Sequence, residues 1–137
     1  MSSYLNFYMR GADESENQLH YLCSYSRSST IYQIFHAPYG HLTELTTDLL
    51  RDYLDEAREA ITDAEHQREI YEKKAAALNE MNAPLSERME YWTSIQNSIE
   101  EIEEELEELK YAKSFGEVLM EMVAWQSENK YFYGIDC

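Results

Sequence analysis

The stretch SIQNSIEEIEEELEEL, residues 94–109, decides the fold. Its apolar residues Ile95, Ile99, Ile102, Leu106 and Leu109 recur in steps of 4, 3, 4 and 3, and every residue between them is polar. Such spacing lays the apolar side chains in one stripe along an α-helix, with the 3.5-residue repeat of a helix packed along another. The stripe runs back to Trp92 and forward through Lys113, Gly116, Met120 and Val123, so a helix is expected from about Leu85 to Trp125. Upstream, Leu50, Leu54, Ala57, Ile61, Ala64, Arg68, Tyr71, Ala75 and Leu78 repeat the pattern, with Arg68 as its polar interruption. An arginine is tolerated there because its stem packs while its head reaches water.

Thr46 or Thr47 caps this earlier helix, and Asp48 suits its first turn. With Thr46 as the cap, Leu45 and Leu50 take the two positions of a hydrophobic staple. The segment from Asn79 to Ser86, containing Pro84, breaks the helix, and so short a connection demands antiparallel neighbours. Residues 46–126 therefore predict a helical hairpin with coiled-coil spacing. At 1.5 Å per residue the helices reach roughly 50 and 60 Å, so the hairpin is expected to project. The surplus of the second helix (Phe115, Val118, Leu119, Met122, Val123 and Trp125) is expected to pack on a base, with Gly116 marking a close approach or a bend.

The base is β-rich. Residues 3–9 and 19–25 alternate as strands do: Leu5, Phe7 and Met9 oppose Tyr4, Asn6 and Tyr8, and Leu19, Tyr21, Cys23 and Tyr25 oppose His20, Leu22 and Ser24. The polar segment between them makes an antiparallel hairpin. A short helix follows from near Ser29 to before Pro38, then an extended piece over His41–Leu45. Lys130–Ile135 supplies a final strand, which a two-stranded hairpin needs to be stable in water. The expected fold is α+β, a single domain over 1–137. A sheet of about three strands, its last one C-terminal, and a short helix form the base (1–45 and 127–137), and 46–126 form the helical hairpin.

Charge narrows the function. The chain has 27 acidic residues against 11 Lys and Arg, net −16. Residues 1–40 carry only −1 of this, so nearly all of it lies on the helices. Direct binding to nucleic acid or an anionic membrane is not expected, because both require basic excess. No signal-peptide pattern or membrane-length apolar run occurs, and two cysteines 114 residues apart make no disulfide framework or zinc site. A reducing cytoplasmic setting is expected. A Cys23–Cys137 bridge would require the C-terminus beside the second strand.

Four groups of residues bear on chemistry. Arg27, Ser28, Ser29 and Thr30 combine free N–H groups at a helix start with hydroxyls and a guanidinium, and Tyr25 and Tyr32 beside them can stack on a base or sugar. This set reads either as an N-cap with Arg27 paired to an acid or as a site for a nucleotide or other phosphorylated molecule. On the second helix Glu101, Glu104, Glu105 and Glu108 face outward if Ile and Leu hold the seam, which makes them a solvated face or a contact for a basic partner. A Mg²⁺ site would need such carboxylates turned inward from two helices. Asp63 and His66, one turn apart, are half of a metal pair without the other half. At the hairpin end Met89 and Trp92, with Leu78, Met81 and Leu85, either close the turn or form a contact patch. No triad of nucleophile and base is recognisable, and no metal, cofactor or enzymatic activity is expected.

Tyr4-Leu5-Asn6-Phe7-Tyr8, the stretch Tyr25-Ser26-Arg27-Ser28-Ser29-Thr30-Ile31-Tyr32 and Leu42-Thr43-Glu44-Leu45-Thr46 together resemble small uncharacterised proteins of gut phages and prophages. The resemblance implies a phage setting inside a bacterial host, without a defined activity. In that setting small acidic proteins without enzymatic motifs are often inhibitors of host machinery, counter-defence proteins among them. The reading is a non-enzymatic interaction module that binds a protein partner, a further copy of itself, or both.

Overall fold

The computed structural model of the chain describes residues 3–37, 39–125 and 128–136. Pro38, the hairpin boundary at 126–127 and Cys137 lie outside them, and with Cys137 the question of a bridge to Cys23. The elements run β1 (Tyr4–Arg10), β2 (His20–Ser26), α1 (Thr30–Phe35), β3 (Thr43–Glu44), α2 (Thr47–Ala77), a 3-10 turn (Leu78–Glu80), α3 (Leu85–Trp125) and β4 (Lys130–Asp136). The class is α+β with the last strand C-terminal, as expected. The sheet has four antiparallel strands rather than three, in the order β2-β1-β4-β3. The added strand is the extended piece before α2: Thr43 and Glu44 pair with Tyr133 and Phe132, and the Leu45 N–H donates to the Tyr131 carbonyl at 2.7 Å.

The chain divides into two compact units, Met1–Ala57 with Ala112–Cys137, and Arg58–Tyr111. The first holds the sheet, α1 and one end of each long helix. Phe7 is its centre, fully buried, with Phe115 at 5.1 Å, Phe35 at 5.2 Å and Tyr25 at 6.3 Å between ring centroids, all edge-on. Edge-on pairs set the positive rim of one ring against the negative face of the next. Leu5, Tyr131, Tyr133 and Ile135 complete the layer, all at most 5% exposed.

Strand β2 departs from simple alternation. Phe7 pairs with Cys23 but Tyr8 pairs with Tyr21, so Leu22 is an extra, bulged residue. One inserted residue moves everything before it to the opposite face. Tyr21 consequently stands edge-on to Tyr8, 6.1 Å away, rather than beside Cys23 and Tyr25.

Thr46 caps α2: its Oγ1 accepts from the Leu49 N–H at 3.2 Å. Leu45 and Leu50 are both buried, which completes the staple. Within this unit Tyr53 is buried on α2, stacks on Phe35 at 4.2 Å and donates its hydroxyl to the Ala112 carbonyl of α3 at 2.6 Å. Gly116 is the close approach foreseen for it. A Cβ there would lie 2.7 Å from Cδ1 of Tyr53 and 2.9 Å from Cδ2 of Leu54. The expectation for the end of α3 holds in part. Leu119 is buried and Phe115 joins the aromatic cluster, but Val118 is 54% and Trp125 84% exposed. One side of a helix suffices for a single layer, and Ala112, Phe115, Gly116 and Leu119 already occupy it.

In the second unit Ala64, Ile99, Leu106 and Leu109 are buried, while Ile61, Arg68, Tyr71, Ile95 and Ile102 are half-buried. The seam is therefore the expected stripe, thinning toward the 78–92 end, where Trp92 is exposed.

Candidate functional site

The Arg27–Thr30 segment folds as a cap. Ser29 has extended backbone and its Oγ accepts from the Ile31 N–H at 3.2 Å, which stops α1 from extending backward. Ser28 Oγ lies 3.0 Å from Ser26 Oγ, and Arg27 is exposed. Tyr32 shares a hydrogen bond of 3.1 Å with Tyr39, which raises its pKa, while the Arg27 charge nearby works in the opposite direction. Tyr25, by contrast, is drawn into the core: its ring meets Phe115 at 5.0 Å and Phe7 at 6.3 Å. It is thus not placed to sandwich a base against Tyr32. Helix α1 has only six residues, so few aligned peptide dipoles point at the cap.

Carboxylates Glu101, Glu104, Glu105 and Glu108 are all exposed, each one or two residues from a seam residue. Glu101 and Glu105 also line an open groove of about 450 Å³ in the second unit, with Asp63, Gln67, Tyr71 and Ser98. Among the described residues, no three His, Cys, Asp or Glu side chains come together in a way that could hold a metal ion. His66 does not line that groove. The groove is a feature that linear spacing does not show, since it depends on which turns of α2 and α3 face each other.

The 78–92 end is the most exposed apolar surface of the second unit. Leu85 is 67%, Met89 53% and Trp92 46% exposed, at i, i+4 and i+7 of α3. With Ala75, Leu78, Asn79 and Arg88 they surround a cleft of about 200 Å³. Arg88 is committed to the local fold, its Nε donating to the Ala83 carbonyl at 3.1 Å, which ties the turn to the start of α3. Met89 and Trp92 line this cleft together.

A further cavity, about 340 Å³, lies in the first unit and has no signature in the residue spacing. It is lined by Asn6, Tyr8, Leu19, His41, Leu42 and Gly134, among others. The His41 carbonyl and Leu42 Cδ2 lie so close to Gly134 that a Cβ there would meet them at 2.7 and 3.1 Å. No helix among the described residues is long and apolar enough to cross a membrane. Compared with protein-family models, curated proteins and solved structures, the chain matches none of them, so its function has to be read from its own residues.

Proposed function

We propose that the chain is a non-enzymatic interaction module that grips a protein partner with the 78–92 end of its helices. The observation that carries this is the exposed trio Leu85, Met89 and Trp92 around a cleft. Large apolar side chains left in water at helical spacing mark contact sites, and Trp and Met are enriched in the centres of such contacts. The second unit has fifteen acidic residues against six basic ones, net −9. Its partner is therefore a protein with an apolar side chain to fill the cleft and a basic rim around it. Resemblance to gut phage and prophage proteins makes host defence proteins in the bacterial cytoplasm the first partners to try, with inhibition as the outcome.

The test is capture from a bacterial lysate by the immobilised wild type and by Met89→Glu/Trp92→Glu. Expected is a protein held by the first and released by the second, with unchanged helicity in the variant. The same proteins on both columns would sink the proposal. Light scattering on both forms shows whether the partner is a second copy, since a self-contact here would be lost with the double substitution.

A further inference from the structure

The cavity in the first unit is lined by a polar side chain, Asn6, that has no hydrogen-bond partner among the described residues. Asn6 lies mid-strand in β1, its Cα opposite Ser24 on one side and Gly134 on the other. Its neighbours Leu5 and Phe7 are fully buried in the core, so alternation sends Asn6 and Tyr8 to the other face. That face is partly roofed by the 40–42 segment. Gly40 donates its N–H to the Ile135 carbonyl at 3.2 Å and has φ +80, and Leu42 lies close over Gly134. Beneath this roof Asn6 is only 7% exposed.

Among the described residues the Asn6 carboxamide has no hydrogen-bond partner, and none of their side-chain N or O atoms is both sealed off and unpartnered. The carboxamide therefore keeps its last access through the cavity it lines. With the residue only 7% exposed and no partner among the described residues, the carboxamide depends on that access for its hydrogen bonds. Asn is also a poor strand former. Folding alone would be better served by an apolar residue there, so the group is explained by something that enters the cavity.

We infer that this cavity binds an uncharged planar heterocycle or cyclic amide whose edge carries a hydrogen-bond donor beside an acceptor. A carboxamide presents C=O and NH₂ side by side in one plane and is matched by that edge, as when Asn pairs with the edge of adenine. The walls are Tyr8, Leu19 and Leu42 with His41 beside them, and no Asp, Glu, Lys or Arg is among the described lining residues. A volume of about 340 Å³ is at the small end of ligand sites, which run from roughly 300 to 1,000 Å³. Neither the Arg27 cap nor the 78–92 contact is involved.

The experiment titrates the full chain with adenine, uracil and, as a control with a single donor, indole, followed by amide NMR. Expected are saturable shifts of the Asn6 NH₂ and of the Gly40 and Gly134 amides with adenine or uracil, and at least tenfold weaker binding of indole. Asn6→Leu should bind at least tenfold less tightly and melt at a higher temperature than wild type. Leu42→Trp should fill the cavity and abolish binding in a folded protein. The inference is overturned if neither base saturates, if Asn6→Leu binds as tightly as wild type, or if Asn6→Leu lowers Tm, which would make Asn6 a structural residue.

Discussion

Tyr53 shows how one side chain ties the sheet-bearing unit together. Its ring stacks on Phe35, its hydroxyl bonds to Ala112, and the space for it exists because residue 116 is glycine. Burial alone pushes its pKa well above the ordinary tyrosine value. The folded pKa is raised, so the stabilisation is fully present below the unfolded value of about 10 and is lost as pH rises beyond it. Tyr53→Phe should cost about 1 kcal/mol at pH 7, where the lost hydrogen bond is the whole effect. Between about pH 10 and 11 that cost should shrink, because wild type alone then pays to keep this hydroxyl protonated. Urea denaturation of both proteins across that range checks it; a difference constant with pH would mean that Tyr53 is not protonated through burial. Tyr133 is raised by burial as well, but it is common to both proteins and cancels in the difference.

Caps and registers act at the scale of whole elements. Either Thr46 or Thr47 suits the start of α2 by residue type, and the structure assigns the bond to Thr46. Thr46→Ala should therefore destabilise by about 1 kcal/mol and Thr47→Ala by much less. Equal losses in Tm would show that the cap is shared or absent. Both long helices were legible in the chain because their apolar stripes repeat over many turns, and so was the α1 cap, which depends on neighbours a few residues away. The rest depended on contacts distant in sequence. A single bulge at Leu22 has no residue signature, yet it places Tyr21 beside Tyr8. Strand β3 has two residues and exists only through its pairing with β4. Tyr53 sits one position off the apolar stripe, and only its spacing of three from Leu50 marks it as a core residue. Asn6 reads as an ordinary outward polar residue until the 40–42 segment is folded over it.

Charge is a property of the whole molecule, and its placement makes a prediction of its own. The net −16 is concentrated where Glu100 to Glu108 put like charges four residues apart: 100 with 104, 101 with 105, 103 with 107 and 104 with 108. Each such pair costs a helix roughly 0.2–0.5 kcal/mol. The residues are exposed, so salt should screen the repulsion, over about 30 Å at 0.01 M but only about 10 Å at 0.1 M. Wild type should therefore melt higher as salt is raised from about 0.01 to 0.5 M. The variant Glu101→Gln/Glu104→Gln/Glu105→Gln/Glu108→Gln breaks three of the four pairs and brings the net charge to −12. At low salt it should be more stable than wild type by about 1 kcal/mol, and its Tm should respond to salt less steeply. Equal salt slopes would place the repulsion elsewhere. The same variant separates two meanings of the acidic face, because a face that only keeps the protein dissolved can be neutralised without loss of a partner. A basic partner held at that face would instead be released by the variant at lower salt than from wild type, even though the variant itself is the more stable protein. Stability and binding moving in opposite directions would identify these glutamates as kept for contact at the expense of the helix.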